Sequence, residues 1–128
     1  MTTVLDASAA LAVMLREPGE AVVRAALTTA AISAVNVSEV FARLVSAGVP
    51  PDTVQRGLKD LGAHITSFDE MQARSAGELR SVTKQWGLSL GDRACIALAQ
   101  RMSGVILTSD RDLVAAGSAL GIDIRMIR

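Results

Sequence analysis

Four acids in this chain, Asp6, Glu39, Asp92 and Asp110, have the type and placement that could do chemistry. Asp6 directly follows the apolar run Thr3 to Leu5, Asn36 and Glu39 lie within a turn or so of a second small strand, and Asp110 follows Val105 to Thr108. If those strands are parallel, three acids share one edge of a sheet, where loops and helix N-termini converge. Asp92 opens a helix from Leu90 to Met102 and stacks one turn before Cys95 and Ile96, on the side expected to face inward. Clustered carboxylates repel, so without a cation some of them hold a proton at neutral pH, shared by the group. Oxygen ligands without His or Cys select a hard divalent ion, Mg²⁺ or Mn²⁺. Such an ion carries a substrate phosphate and lowers the pKa of a bound water.

Each acid also has a plainer explanation. Asp is a preferred helix N-cap, which suits Asp6, Asp92 and Asp110 taken singly. Glu39 can pair with Arg43 at i,i+4, and the apolar positions Val37, Val40, Phe41 and Leu44 leave it away from the centre of the buried face. Joint placement at one edge favours a site, as do the small residues Ala7, Ala9, Gly91 and Ala94, which are expected to leave room for a ligand.

The rest of the composition removes competing chemistries. With 1 Cys and 1 His, the chain has neither a disulfide framework nor a Cys/His zinc site, and a two-histidine ribonuclease mechanism falls too. His64 reads as a structural strand residue and Cys95 as a small buried hydrophobe. The glycines do not form GxGxxG. The 13 basic and 13 acidic residues cancel, so a nucleic acid must be met by a local patch or a bound metal. Eleven of the basic residues are Arg, the better phosphate binder, and Arg43, Arg93 and Arg111 beside the acids are the candidate rim contacts.

The elements that must position these residues follow from periodicity. Strands are expected at Thr3 to Leu5, Ala31 to Ala34, Ala63 to Thr66, Gly104 to Thr108 and Ile122 to Met126. Helices are expected from Ala7 to Leu15, Glu20 to Leu27, Val35 to Ala47, Asp52 to Leu61, Asp69 to Gln85, Leu90 to Met102 and Asp110 to Ala119. In the long helix Met71, Ser75, Leu79 and Val82 fall on one face. Alternation of short strands with helices predicts βαβ crossovers and a three-layer α/β/α sandwich with a mostly parallel central sheet of about four or five strands. At 128 residues, 50% hydrophobic and 20% charged, the chain is expected to be a single domain spanning 1–128. No apolar stretch has membrane-spanning length and the N-terminus lacks a secretory signal, so no membrane association and a cytoplasmic location are expected.

The segments Val-Leu-Asp6-Ala-Ser8-Ala, Asn36-Val-Ser38-Glu39-Val, Leu90-Gly-Asp92-Arg-Ala and Leu107-Thr108-Ser-Asp110 together resemble the PIN-domain family, and within it the VapC-type toxins of bacterial toxin–antitoxin pairs. The resemblance runs in the family's order over essentially the whole chain. It implies Asp6, Glu39, Asp92 and Asp110 as the acidic quartet, with Ser8, Asn36 and Thr108 as polar support. It also implies Mg²⁺-dependent RNA cleavage, a cognate antitoxin and a homodimer. In that reading a metal-activated water attacks the phosphodiester, Asp6 and Asp92 are the direct metal ligands, Glu39 orients the water or the metal's water shell, and Asp110 completes the site or holds a second ion. Leu113 departs from the pattern, standing where many relatives carry an aromatic. Two other classes remain open at this level: an aspartate-based phosphatase or phosphotransfer domain with Asp6 as nucleophile, which lacks a second Asp at position 8, and a non-catalytic binding module whose acids only cap helices.

Overall fold

The computed structural model describes residues 1–128. The chain runs β1 (Thr3–Leu5), α1 (Ala7–Met14), α2 (Glu20–Arg24), β2 (Ala30–Ser33), α3 (Ala34–Ser46), α4 (Pro51–Leu61), β3 (His64–Thr66), α5 (Glu70–Thr83), α6 (Leu90–Met102), β4 (Val105–Thr108), α7 (Arg111–Leu120) and β5 (Ile124–Met126). The five strands form one sheet in the order β3-β2-β1-β4-β5, and every pairing is parallel. The sheet is therefore wholly parallel.

Strand alternation builds two cores. Leu5, Ile32 and Leu107 face α1, α3 and α4, whereas Val4, Ala31 and Ile106 face α5, α6 and α7. A parallel sheet covered on both faces needs apolar residues in both registers, and β1, β2 and β4 are buried throughout. Helix α1 is apolar nearly all round, with Ala9 to Val13 all buried beneath α2, α3 and α4. No helix is long and apolar enough to cross a membrane.

Three expectations need correction. The second helix is shorter than Glu20 to Leu27, since α2 stops at Arg24 and a 3₁₀ turn covers Leu27–Thr29. On α5 the buried stripe is Gln72, Ala76, Leu79 and Thr83, while Met71 and Val82 are exposed. Hydropathy picks the apolar side chains, but the stripe follows the close approach to α6 that Ala76 permits, with Thr83 Oγ1 satisfied by donating to the Leu79 carbonyl at 2.7 Å. His64 lies on the edge strand β3 and is exposed.

β1 is the switch point of the sheet. The chain leaves it toward β2 and β3 on one side and later returns to β4 and β5 on the other, which opens a crevice at the carboxyl ends of β1, β2 and β4. Since α6 runs into β4, its N-terminus reaches the same edge.

Candidate active site

Asp6 ends β1 and N-caps α1. Its Oδ1 accepts from the Ala9 amide at 2.9 Å and from Ser8 Oγ at 2.6 Å, and its Oδ2 accepts from Thr108 Oγ1. The two hydroxyls also tie down β4, because Ser8 Oγ accepts from the Ser109 amide at 2.9 Å and Thr108 Oγ1 from the Asp110 amide at 3.0 Å. Asp6 is 6% exposed. Burial pushes its carboxyl pKa up, these hydrogen bonds pull it down, and the charge of Asp92 pushes it up again; the net direction is up.

Glu39 projects from α3 toward the start of α6. It accepts from Asn36 Nδ2 at 2.7 Å, and the same amide nitrogen donates to the Gly91 carbonyl at 3.1 Å. A Cβ on Gly91 would run into the Glu39 carboxylate, so the space expected for a ligand is filled by this side chain. Burial, then the charges of Asp92 and Asp6, outweigh the Asn36 hydrogen bond and raise the Glu39 pKa. The expected pairing with Arg43 does not form.

Asp92 is the third residue of α6, not its N-cap. Ser89 caps the helix, with its Oγ accepting from the Asp92 amide at 3.2 Å, while Asp92 Oδ2 accepts from the Ser89 amide at 3.0 Å. The Asp92 pKa is raised by burial and by the charges of Asp110 and Asp112, against the opposing Ser89 bonds. Asp110 N-caps α7 and accepts from the Asp112 amide at 2.9 Å.

The structure thus brings Asp6, Glu39, Asp92 and Asp110 to one edge, with Ser8, Asn36 and Thr108 bonded among them. None of the ion pairs in the chain involves these four acids: they join Arg24 to Glu20, Arg101 to Asp69, Arg125 to Asp123 and Arg128 to Glu17. No three His, Cys, Asp or Glu side chains converge into a ready metal cage, since each carboxylate is turned to its local donor. Of the rim residues, Arg43 and Arg111 are exposed. Arg93 is not free, because its Nη1 donates to the Ala76 carbonyl of α5 at 2.9 Å. Cys95 is fully buried, and burial followed by the nearby acids pushes its thiol pKa well up. Sequence reasoning missed Ser89, although Ser89-Leu-Gly-Asp92 carries the spacing of a capping box. It also missed the Asn36 bridge, which no local pattern announces.

Residues 3–118 match the family model of the PIN domain. The chain belongs to the PIN-domain family. Among solved structures, this PIN domain is similar to the DNA-bound VapBC of Salmonella typhimurium (TM-score 0.77, 15% identity, covering 100% of this chain and 99% of that one). It is similar to VapBC2 of Rickettsia felis bound to a fragment of its promoter (TM-score 0.74, 16% identity, 98% of each chain). It is also similar to FitAcB of Neisseria gonorrhoeae (TM-score 0.69, 24% identity, 96% of each chain). At these identities the likeness is one of fold. A search of curated proteins finds no match.

Proposed function

We propose that this PIN domain is a divalent-cation-dependent endoribonuclease, the toxin of a bacterial toxin–antitoxin pair. The observation that carries the reading is the unneutralised charge. Asp6, Glu39 and Asp92, from three separate elements, all have raised pKa values, and no basic side chain pairs with any of them. Such a cluster calls for a cation from outside the chain.

The donor set suits Mg²⁺ or Mn²⁺. The available ligands are oxygens, and Mg²⁺ keeps several waters and takes one or two carboxylates. Asp6 and Asp92 are the residues that would hold the ion, with Asp110 within reach of the Asp92 charge. When bound, the cation supplies positive charge for a scissile phosphate and acidity for a water.

The chain's own residues prepare that chemistry. Ser8, Ala9 and Thr108 occupy three acceptor positions of the Asp6 carboxylate and leave about one free, on Oδ2. Glu39, with its raised pKa and its partly open position, is the group suited to take a proton from an attacking water. Arg43 and Arg111 at the rim would meet RNA phosphates. A side-chain nucleophile is unnecessary, and Ser8 is committed to Asp6 and Ser109.

Structural relatives are described as toxin–antitoxin complexes or systems, and on that basis this chain is assigned a cognate antitoxin; a homodimeric form and a cytoplasmic location are what the family resemblance implies. Purified chain freed of its partner should cut RNA with Mg²⁺ or Mn²⁺ and stop with chelator. Cleavage that persists in excess EDTA overturns the reading.

A further inference from the structure

Glu39 is exposed, long and flexible, and it sits on a helix face that periodicity directs elsewhere. Left to itself it would sample solvent. We propose that Asn36 and Gly91 are positioning residues that seat the Glu39 carboxylate against the first turn of α6, an inference that rests on the nuclease reading of the site.

Gly91 provides the seat. It is the second residue of α6, where glycine is the poorest helix former after proline, and its φ lies outside the left-handed region, so the backbone does not require it. What glycine supplies is space: a Cβ there would meet both carboxylate oxygens and the Cδ of Glu39, and the carboxylate would have to move away. The helix gives up propensity at this position, and the carboxylate takes the vacated place.

Asn36 provides the latch. It is 1% exposed, and its Nδ2 spends both hydrogens, one on Glu39 Oε1 and one on the Gly91 carbonyl, across 55 residues of sequence. The amide can only be oriented this way, because the reverse would aim Oδ1 at two acceptors. Its Oδ1 is left buried without a partner.

A double-mutant cycle between Gly91→Ala and Glu39→Ala tests this, read first by thermal melting, which needs no activity. In the Glu39→Ala chain, Gly91→Ala should raise the melting temperature by about 2–4 °C, the usual gain for relieving a helical glycine. In the parent chain the gain should vanish, because the displaced carboxylate loses its Asn36 bond. Equal gains in both backgrounds overturn the proposal. The second reading is RNA cleavage with Mn²⁺. Gly91→Ala should lower kcat at least tenfold with KM for RNA unchanged, and should have no further effect once Glu39 is Ala. Undiminished kcat in Gly91→Ala also overturns it, while the nuclease reading stands. If the parent chain cuts no RNA with any divalent ion, the nuclease reading fails and the melting cycle alone decides the positioning.

Discussion

The acid cluster should make the stability of the chain depend on pH and on divalent cations together. Asp6, Glu39 and Asp92 each have a carboxyl pKa raised in the folded state, burial being the largest cause in each case. Between the unfolded carboxyl value, about 3.9–4.3, and the raised folded value, the folded chain holds more protons than the unfolded one. Stability contributed by these groups therefore falls as pH rises through that window; the penalty is absent below the unfolded pKa and complete above the folded one. An ion bound only by the folded chain opposes it, adding about 2.7 kcal/mol when present at roughly a hundred times its dissociation constant. At about 2.1 cal/mol/K per residue, the unfolding entropy of 128 residues is about 0.27 kcal/mol/K, so that gain appears as a rise of about 10 °C. Protons compete with the ion, so the rise should shrink toward nothing near pH 4. Thermal melts by circular dichroism, with EDTA and with saturating Mn²⁺ at both pH values, measure it. A melting temperature indifferent to Mn²⁺ at neutral pH, or raised equally at both pH values, refutes the account.

The remaining expectations are narrower. Asp6→Asn and Asp92→Asn should each abolish single-turnover RNA cleavage while the far-ultraviolet spectrum stays native, because each amide keeps an oxygen acceptor for the helix cap and removes one charge from a repelling group. Asp110→Asn should be nearly inactive with its melting temperature almost unchanged, since Asn caps as well as Asp; Asp112→Asn, exposed in the first turn of α7, should keep most activity and lose about 0.3–1 kcal/mol, read by paired melts and rate measurements. Thr108→Val should cost about 1–3 kcal/mol in urea unfolding, because Asp6 Oδ2 and the Asp110 amide both lose a buried partner. Arg93→Ala should lower stability by about 1–2 kcal/mol, from the lost bond to the Ala76 carbonyl, without altering the salt slope of RNA binding, whereas Arg43→Ala and Arg111→Ala should reduce that slope.

Which parts of this molecule are legible in its sequence depends on the range of the forces that set them. β1 and α6 are read to the residue because short-range signals bound them: Asp6 stops the first strand, and the breaks at Gly87 and Gly104 enclose α6, even though its Ser89 cap goes unread. The crossover pattern then places three acids at one edge by topology alone. The stripe of α5 is misread because it depends on how closely α6 approaches, which hydropathy does not encode. The contacts that hold Glu39 and Arg93 escape the sequence for a related reason: both are long side chains whose partners, Gly91 and Ala76, lie on other elements.

The competition between capping and chemistry at these acids dissolves once their electrostatics are compared with what a cap does. Asp6 and Asp110 are N-caps and Asp92 completes a capping box, so the plainer explanation is correct as far as it goes. A carboxylate that only capped a helix would be stabilised as an anion by the amides it accepts from and by the helix dipole, and its pKa would fall. At Asp6 and Asp92 those lowering bonds are present, and the pKa values are raised nonetheless, because burial and the neighbouring acids outweigh them. Capping orients each carboxylate; it does not neutralise the group. A parallel sheet delivers helix N-termini to its carboxyl edge, so the bonds that start α1, α6 and α7 also hold three charges closer together than they would otherwise stand. That surplus is what a binding module with mere caps would lack, and it is the ground on which a cation is proposed for this edge of the sheet.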